Sequence, residues 1–277
     1  MSTWLITGCS TGLGRALATA VLAHGNNVVV TARDASTVQD IADTSPDSAL
    51  ALSLDVTDPA QVESAVREAE RRFGTVDVLV NNAGYGYRSA VEEATPEDVQ
   101  RLFDTNFFGA VAMIKAVLPA MRERRSGAIV NISSIGVRLT PPGSGYYAAS
   151  KAALEGMSGS LRKELEPLGI AVTVVEPGGF RTDFAGRSLA QSEVAIPDYA
   201  ETAGKRRKEN DTVHGTQPGN PALAAEAIIT AVESPNAPLL LLLGADAIDG
   251  FETLAARERN DADTWRDLSL STGYPEE

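Results

Sequence analysis

The sequence predicts an α/β fold: a doubly wound parallel sheet of about seven strands, Rossmann-like, with helices on both faces. Three observations predict it. Short apolar runs alternate with helix-length segments along nearly the whole chain. Most of those runs are continuously apolar rather than alternating, as strands buried on both faces must be. A glycine-rich turn joins the first run to the first helix, where such sheets bind nucleotides.

The elements follow in order. The first strand is Trp4–Thr7, and its helix ends at "LAHGNN", with Gly25 just past the C-terminus. Asn27–Ala32 and Ala49–Leu54 are the next two strands. Asp58-Pro59 opens the following helix, a capping carboxylate before a proline suited to the first turn. Val76–Asn81 is the fourth strand, and Thr95-Pro96 starts another helix by the same device. Ala128–Ser133 and Ala171–Glu176 continue the sheet, Asn220-Pro221 caps a late helix, and Leu239–Leu243 is the last strand. Right-handed crossovers then place all seven strands parallel. The run from Pro177 to Pro218 is long, strandless and rich in Gly, Pro and charge, so 183–216 is expected to be a substrate lid. Residues 245–277 read as an acidic helical extension, and 1–277 as a single domain.

Composition narrows the function. At 277 residues, 43% apolar and 22% charged, the chain is ordinary globular protein. A net charge of −13 argues against a nucleic-acid partner, and "KRRK" near 205–208 reads as a solvated helix face. No apolar run approaches a membrane span; the longest, "PLLLLLG" at 238–244, is strand-sized. The start "MSTWLITG" enters a strand at once, without a leader, and the single Cys9 allows no internal disulfide. A reduced, cytoplasmic setting is the expectation.

Two motifs carry chemistry. In "LITGCSTGLGRALA", Gly8, Gly12 and Gly14 permit a tight turn and close backbone approach, and the helix N-terminus offers N–H groups to a pyrophosphate. The spacing G-x-x-x-G-x-G lacks the lysine and hydroxyl residue that end a P-loop, which excludes that class of NTPase. In "YYAASK", Tyr147 and Lys151 share a helix face while Tyr146 points elsewhere. A free phenol titrates near pH ~10, and a nearby cation lowers that value. By itself the hexapeptide also fits a surface lysine beside an aromatic ring.

"TGCSTGLG" at 7–14, "NNAG" at 81–84, Asn106, Ser134 and the Tyr147–Lys151 pair together resemble the short-chain dehydrogenase/reductases, compact single-domain branch. The N-terminal "TGCSTGLGRALA" is most similar to hydroxysteroid and retinol dehydrogenase-like members. The resemblance covers residue 3 to about 182 and the last strand. It implies a catalytic tetrad. Ser134 would steady the substrate oxygen, with Ser133 its competitor; Tyr147 would exchange the proton. Lys151 would lower the Tyr147 pKa and hold the nicotinamide ribose, and Asn106 would organise a water leading to Lys151. It further implies cofactor contacts at Gly8, Ser10, Thr11, Gly12, Leu13, Gly14, Arg33, Asp55, Val56, Asn81, Ala83, Gly84, Tyr147, Lys151, Pro177, Gly178 and Thr182, and no metal.

The expected cofactor is NADP(H), with NAD(H) the second choice. Strand two ends at Ala32, without the carboxylate that would repel a 2′-phosphate, and Arg33 offers it a forked cation. Asp34 stands close enough to compete for Arg33. The substrate is expected to be a small alcohol or carbonyl compound in a partly apolar pocket bounded by 135–146, Tyr85, Tyr87 and the 183–216 segment. A homodimer or homotetramer is the expected assembly. Two other classes compete: a silent NADP(H)-sensing protein, which would show a broken Tyr/Lys pair, and the longer sugar-nucleotide epimerases, which need a larger C-terminal part and different glycine spacing.

Overall fold

The computed structural model describes residues 1–186, 188–208 and 215–274. Seven strands form one parallel sheet: β1 (Thr3–Ile6), β2 (Asn27–Ala32), β3 (Ala49–Ser53), β4 (Val78–Asn81), then β6 (Gly127–Ile132), β7 (Ile170–Pro177) and β9 (Leu240–Leu243). Their order is β3-β2-β1-β4-β6-β7-β9. All seven are those read from the sequence, with ends moved by one or two residues.

Alternation along each strand explains the continuous apolar runs. Trp4 and Ile6, Val28 and Val30, and Val78 and Val80 face one layer, with α1 (Gly12–Ala23) and the helix Pro221–Glu233. Leu5, Val29, Leu79 and Ile129 face the other, with α3 (Pro59–Phe73), α5 (Gly109–Arg124) and α7 (Gly145–Leu165). Both strand faces are therefore core. The expected caps form: the side chains of Asp58, Thr95 and Asn220 accept from backbone N–H groups of their helices' first turns.

Two features depart from the reading, and a third agrees with it. Residues 86–88 (β5) and 189–191 (β8) form a separate two-stranded parallel sheet, with Gly86 opposite Leu189. Each strand has only three residues, too few for a periodic pattern, and Leu189 comes from the stretch read as strandless. Second, α4 (Pro96–Phe103) joins α5 through a π-helical turn, Asp104–Phe108, which carries Asn106. The resulting helical run, Pro96–Arg124, is long and apolar enough to cross a membrane by length and composition alone. Its Leu102, Met113, Ile114, Val117 and Met121 are instead buried in the fold. Third, the tail is helical as expected, over Ala245–Thr264 and Arg266–Leu270, and Ala247 and Gly250 are buried where it meets α6 (Gly136–Leu139).

The sheet order reverses between β1 and β4. Ligands of open α/β sheets bind outside the carboxyl ends of the strands at such a point.

Candidate active site

The turn after β1 is stapled to the turn after β4. Thr7 Oγ1 accepts from the N–H groups of Asn82 (3.0 Å) and Ala83 (2.9 Å), and Asn82 Nδ2 donates to the carbonyls of Thr7 (2.8 Å) and Gly8 (2.9 Å). Close approach is what demands glycine here. Gly8 has φ +71°, and a Cβ there would lie 2.9 Å from Ala83 Cα. A Cβ on Gly14 would lie 2.6 Å from the Gly8 carbonyl and press into the Asn82 amide. Thr11 is the N-cap of α1, yet its side chain makes no capping hydrogen bond. The first-turn N–H groups of α1 thus remain available to an anion.

A cleft of about 700 Å³ runs from this turn across the strand ends. Gly8, Ser10, Thr11, Gly12, Leu13, Arg33, Asp55, Val56, Ala83 and Gly84 line it. Ser134, Tyr147, Lys151, Pro177, Gly178 and Thr182 line it as well, with Thr182 against Gly12 of the turn. The glycine cradle, the free helix N-terminus and an elongated cleft together fit a dinucleotide.

Three residues expected at the cofactor or substrate sit behind the cleft wall. Gly14 acts through its packing on Asn82. Asn81 turns into the sheet, where its Nδ2 donates to Asn131 Oδ1 at 2.8 Å. Asn106 is 1% exposed; its Oδ1 accepts from Tyr85 N (3.0 Å), and its Nδ2 donates to Tyr85 O (3.0 Å) and Ser150 Oγ (3.1 Å). Gly84 fits between Asn106 and Lys151, since a Cβ there would lie 3.0 Å from Asn106 Oδ1 and 3.3 Å from Lys151 Nζ. The wide π turn is what lets Asn106 reach both partners.

The two adjacent serines separate cleanly. Ser133 Oγ donates to Glu155 Oε1 at 2.5 Å. Ser134 Oγ accepts from Gly136 N at 3.0 Å and is hydrogen-bonded to the Tyr147 phenol. Tyr146, in contrast, donates to the Val91 carbonyl at 3.0 Å, an exposed contact away from the cleft. Tyr147 and Lys151 are both buried. Burial pushes the Tyr147 phenol above its ordinary value, opposed by the Ser134 hydrogen bond and the Arg88 guanidinium. Burial draws the Lys151 ammonium down to about 8, opposed by the Glu155 carboxylate. Lys151 Nζ donates to the Ile132 carbonyl at 2.7 Å.

The apolar lining of the cleft matches expectation at Phe184 and Leu189 and departs from it elsewhere. Phe184, Ser188, Leu189 and Ala190 line the cleft, and the Phe184 and Tyr147 rings lie 5.8 Å apart. Leu139, expected there, is half exposed and packs near Gly250. Tyr85 lines the cleft, whereas Tyr87 is buried with its hydroxyl donating to Asp98 Oδ2 at 2.9 Å. Asn82, Thr57, Arg101, Asp104 and Thr105 belong to the site without having been singled out. Only Asn82 carried a signal, as the second residue of "NNAG".

Of the expected lid, residues 187 and 209–214 lie outside the described residues. The rest is tied down by buried Glu93. Its Oε2 accepts from Ala90 N (2.7 Å) and Arg207 Nη2, and its Oε1 accepts from Ile196 N (2.9 Å). Its carbonyl accepts from Ser192 Oγ at 2.6 Å. At the other end of the cleft Asp34 caps the short helix 35–37, its Oδ1 accepting from Ser36 N at 2.9 Å. Arg33 is exposed and lines the cleft beside Ala32.

Comparison with known proteins agrees with this geometry. A family model described as short chain dehydrogenase matches residues 2–193. The chain is 37% identical over 274 residues to oxidoreductase BOA17 of Botryotinia fuckeliana, covering 97% of this chain and 98% of that protein. A solved short-chain dehydrogenase from Streptomyces avermitilis superimposes with a TM-score of 0.91 at 43% identity, over 99% of this chain and 100% of its own. A 3-ketoacyl-(acyl-carrier-protein) reductase from Brucella melitensis, solved with NADH, gives a TM-score of 0.74 at 28% identity, covering 89% and 97%.

Proposed function

The chain belongs to the short-chain dehydrogenase family, oxidoreductases that use a nicotinamide cofactor, and on that premise we propose that it interconverts an alcohol and a carbonyl compound with NADP(H). One observation carries the reading. Ser134, Tyr147 and Lys151 line the same cleft as the glycine turn.

A bound nicotinamide would supply or accept the hydride. The chain's own residues do the rest. The Ser134 hydroxyl holds the substrate oxygen beside the phenol and, through its bond to Tyr147, pulls the phenol's pKa back down. Tyr147 gives its proton to that oxygen during reduction and takes it back during oxidation. The Lys151 ammonium, held by Ile132, keeps a positive charge at the site where the phenolate forms. Asn106 fixes the Tyr85 backbone and Ser150, and so holds Gly84 and the Lys151 side chain in place. Phe184 and Leu189 exclude water from the reacting end and favour a small, partly apolar substrate.

The preference for NADP(H) rests on Ala32, Arg33 and Asp34. With Asp34 engaged as a cap, the Arg33 guanidinium stands at the cleft beside a position lacking a carboxylate. The 188–208 segment, latched by Glu93, serves as the cover of the substrate end.

A panel of ketones and aldehydes with NADPH, followed at the nicotinamide absorbance, tests the proposal. Tyr147→Phe should abolish reduction and leave NADPH binding within a few-fold, while Tyr146→Phe keeps most activity. A Tyr147→Phe protein with native rates would refute it. NADPH binding without turnover across the panel would point to a sensing protein instead.

A further inference from the structure

We propose that Glu155 is a positioning residue that sets the protonation of Lys151, acting from a buried cluster with Glu176 and Arg138. The proposal rests on Lys151 serving Tyr147 as described above. Its geometry is built on α7. Lys151 and Glu155 are one turn apart, and they grip consecutive residues at the end of β6: Lys151 the Ile132 carbonyl, Glu155 the Ser133 hydroxyl. Ser134 comes next. One helix face therefore holds the strand end that presents Ser134 to Tyr147.

Behind Glu155 lies a second carboxyl group. Glu176 on β7 is fully buried and hydrogen-bonded to Glu155. Arg138 distinguishes the two. Its Nη2 and Nε donate to Glu176 Oε1 (2.7 and 3.1 Å), and its Nε also to Oε2 (2.9 Å). Only Arg138 Nη2 approaches Glu155, at 3.6 Å from Oε2. The forked ion pair occupies the Glu176 carboxylate and leaves Glu155 without an equivalent partner. Burial and the Glu176 charge together raise Glu155 to about 7, against the Ser133 and Arg138 contributions. From the tail helix, Glu258 faces Arg138 electrostatically and the Phe251 ring lies 5.1 Å from its guanidinium, closing the cluster on that side.

The consequence concerns Lys151. As pH rises through neutrality Glu155 loses its proton, and a carboxylate one helical turn away then favours the ammonium. The lysine stays charged further into the alkaline range than its burial alone would permit. Neither Glu176, neutralised by Arg138, nor Ser133 supplies that charge.

The lysines of this chain are Lys115, Lys151, Lys163, Lys205 and Lys208. That short list makes an ε-¹³C-lysine NMR titration of the cofactor-free protein practical, with Lys151 assigned by Lys151→Arg. In the native protein the Lys151 resonance should show two inflections, a smaller one following Glu155 and a larger one of its own. In Glu155→Gln the smaller should vanish and the midpoint should fall by about one pH unit. Glu155→Asp should restore the smaller inflection. The alkaline limb of kcat/KM should move with the Lys151 midpoint, with KM for the carbonyl substrate little changed. A single inflection in the native protein overturns the proposal, whether or not the variants fold. So does a folded Glu155→Gln protein that loses activity with its Lys151 midpoint unmoved. Should Tyr147→Phe retain native rates, the functional reading fails while the Lys151 titration still stands or falls by itself.

Discussion

Lys151→Met should make the protein inactive and should raise its stability relative to the native protein more near neutral pH than at alkaline pH. The native side chain is 4% exposed, and burial draws its ammonium from 10.5 to about 8. A lysine whose folded pKa is depressed costs stability. The cost is fully present below about 8, shrinks as pH rises towards 10.5, and is gone above it, because across that window the unfolded chain binds more protons. The depression of about 2.5 units is worth about 3 kcal/mol near neutrality. Methionine removes this cost and also removes the donor to the Ile132 carbonyl, a loss of about 1–3 kcal/mol that does not vary with pH. The informative quantity is therefore a slope. Urea denaturation at a series of pH values should show the stability of the variant relative to the native protein falling by about 2 kcal/mol between about pH 7 and about pH 9.5. Glu155 acts with the same sign, since without the ammonium it ionises later and at greater cost. A stability difference that stays flat over this range, or grows with pH, would refute the reasoning.

The remaining predictions concern the cofactor end and the cover. Arg33→Ala should weaken NADPH by more than tenfold and NADH little, the loss of a charge-assisted contact of roughly 1.5–3 kcal/mol. Ala32→Asp should tilt the preference towards NADH, and titration of both cofactors into all three proteins checks this; tighter NADH binding by the native protein would overturn the NADP(H) preference. Glu93→Ala leaves Arg207 without its buried carboxylate and the Ile196 N–H without an acceptor, so tryptic cleavage near Arg206 and Arg207 should accelerate by more than tenfold. Unchanged cleavage kinetics would show that the latch does not hold the cover.

The parts of this fold and site that were legible in the sequence are those whose cause is local. A strand buried on both faces must be apolar throughout, so β1, β2, β4, β6 and β7 announced themselves. Asp58, Thr95 and Asn220 marked helix starts because a cap satisfies its own first turn. Tyr147 and Lys151 share a face because both lie on one helix. What stayed hidden is set by contacts distant in sequence. The pairing of 86–88 with 189–191 joins segments a hundred residues apart, and Gly86 is small because Leu189 and Phe184 arrive there. The Asn81 side chain turns to Asn131, which stands opposite it in the sheet, and so lies behind the cleft wall. The choice between Ser133 and Ser134 shows the limit most directly. Both follow β6, and the Ser133 hydroxyl is taken by Glu155, so Ser134 is the one left to meet the phenol. The pair is plain in the sequence, but the choice depends on what captures the other hydroxyl. Glu155 is that captor, and in the sequence it is one of 37 acidic residues with nothing to distinguish it. The residue that captures the Ser133 hydroxyl thus became visible only when α7 and β7 were placed on either side of the same strand end.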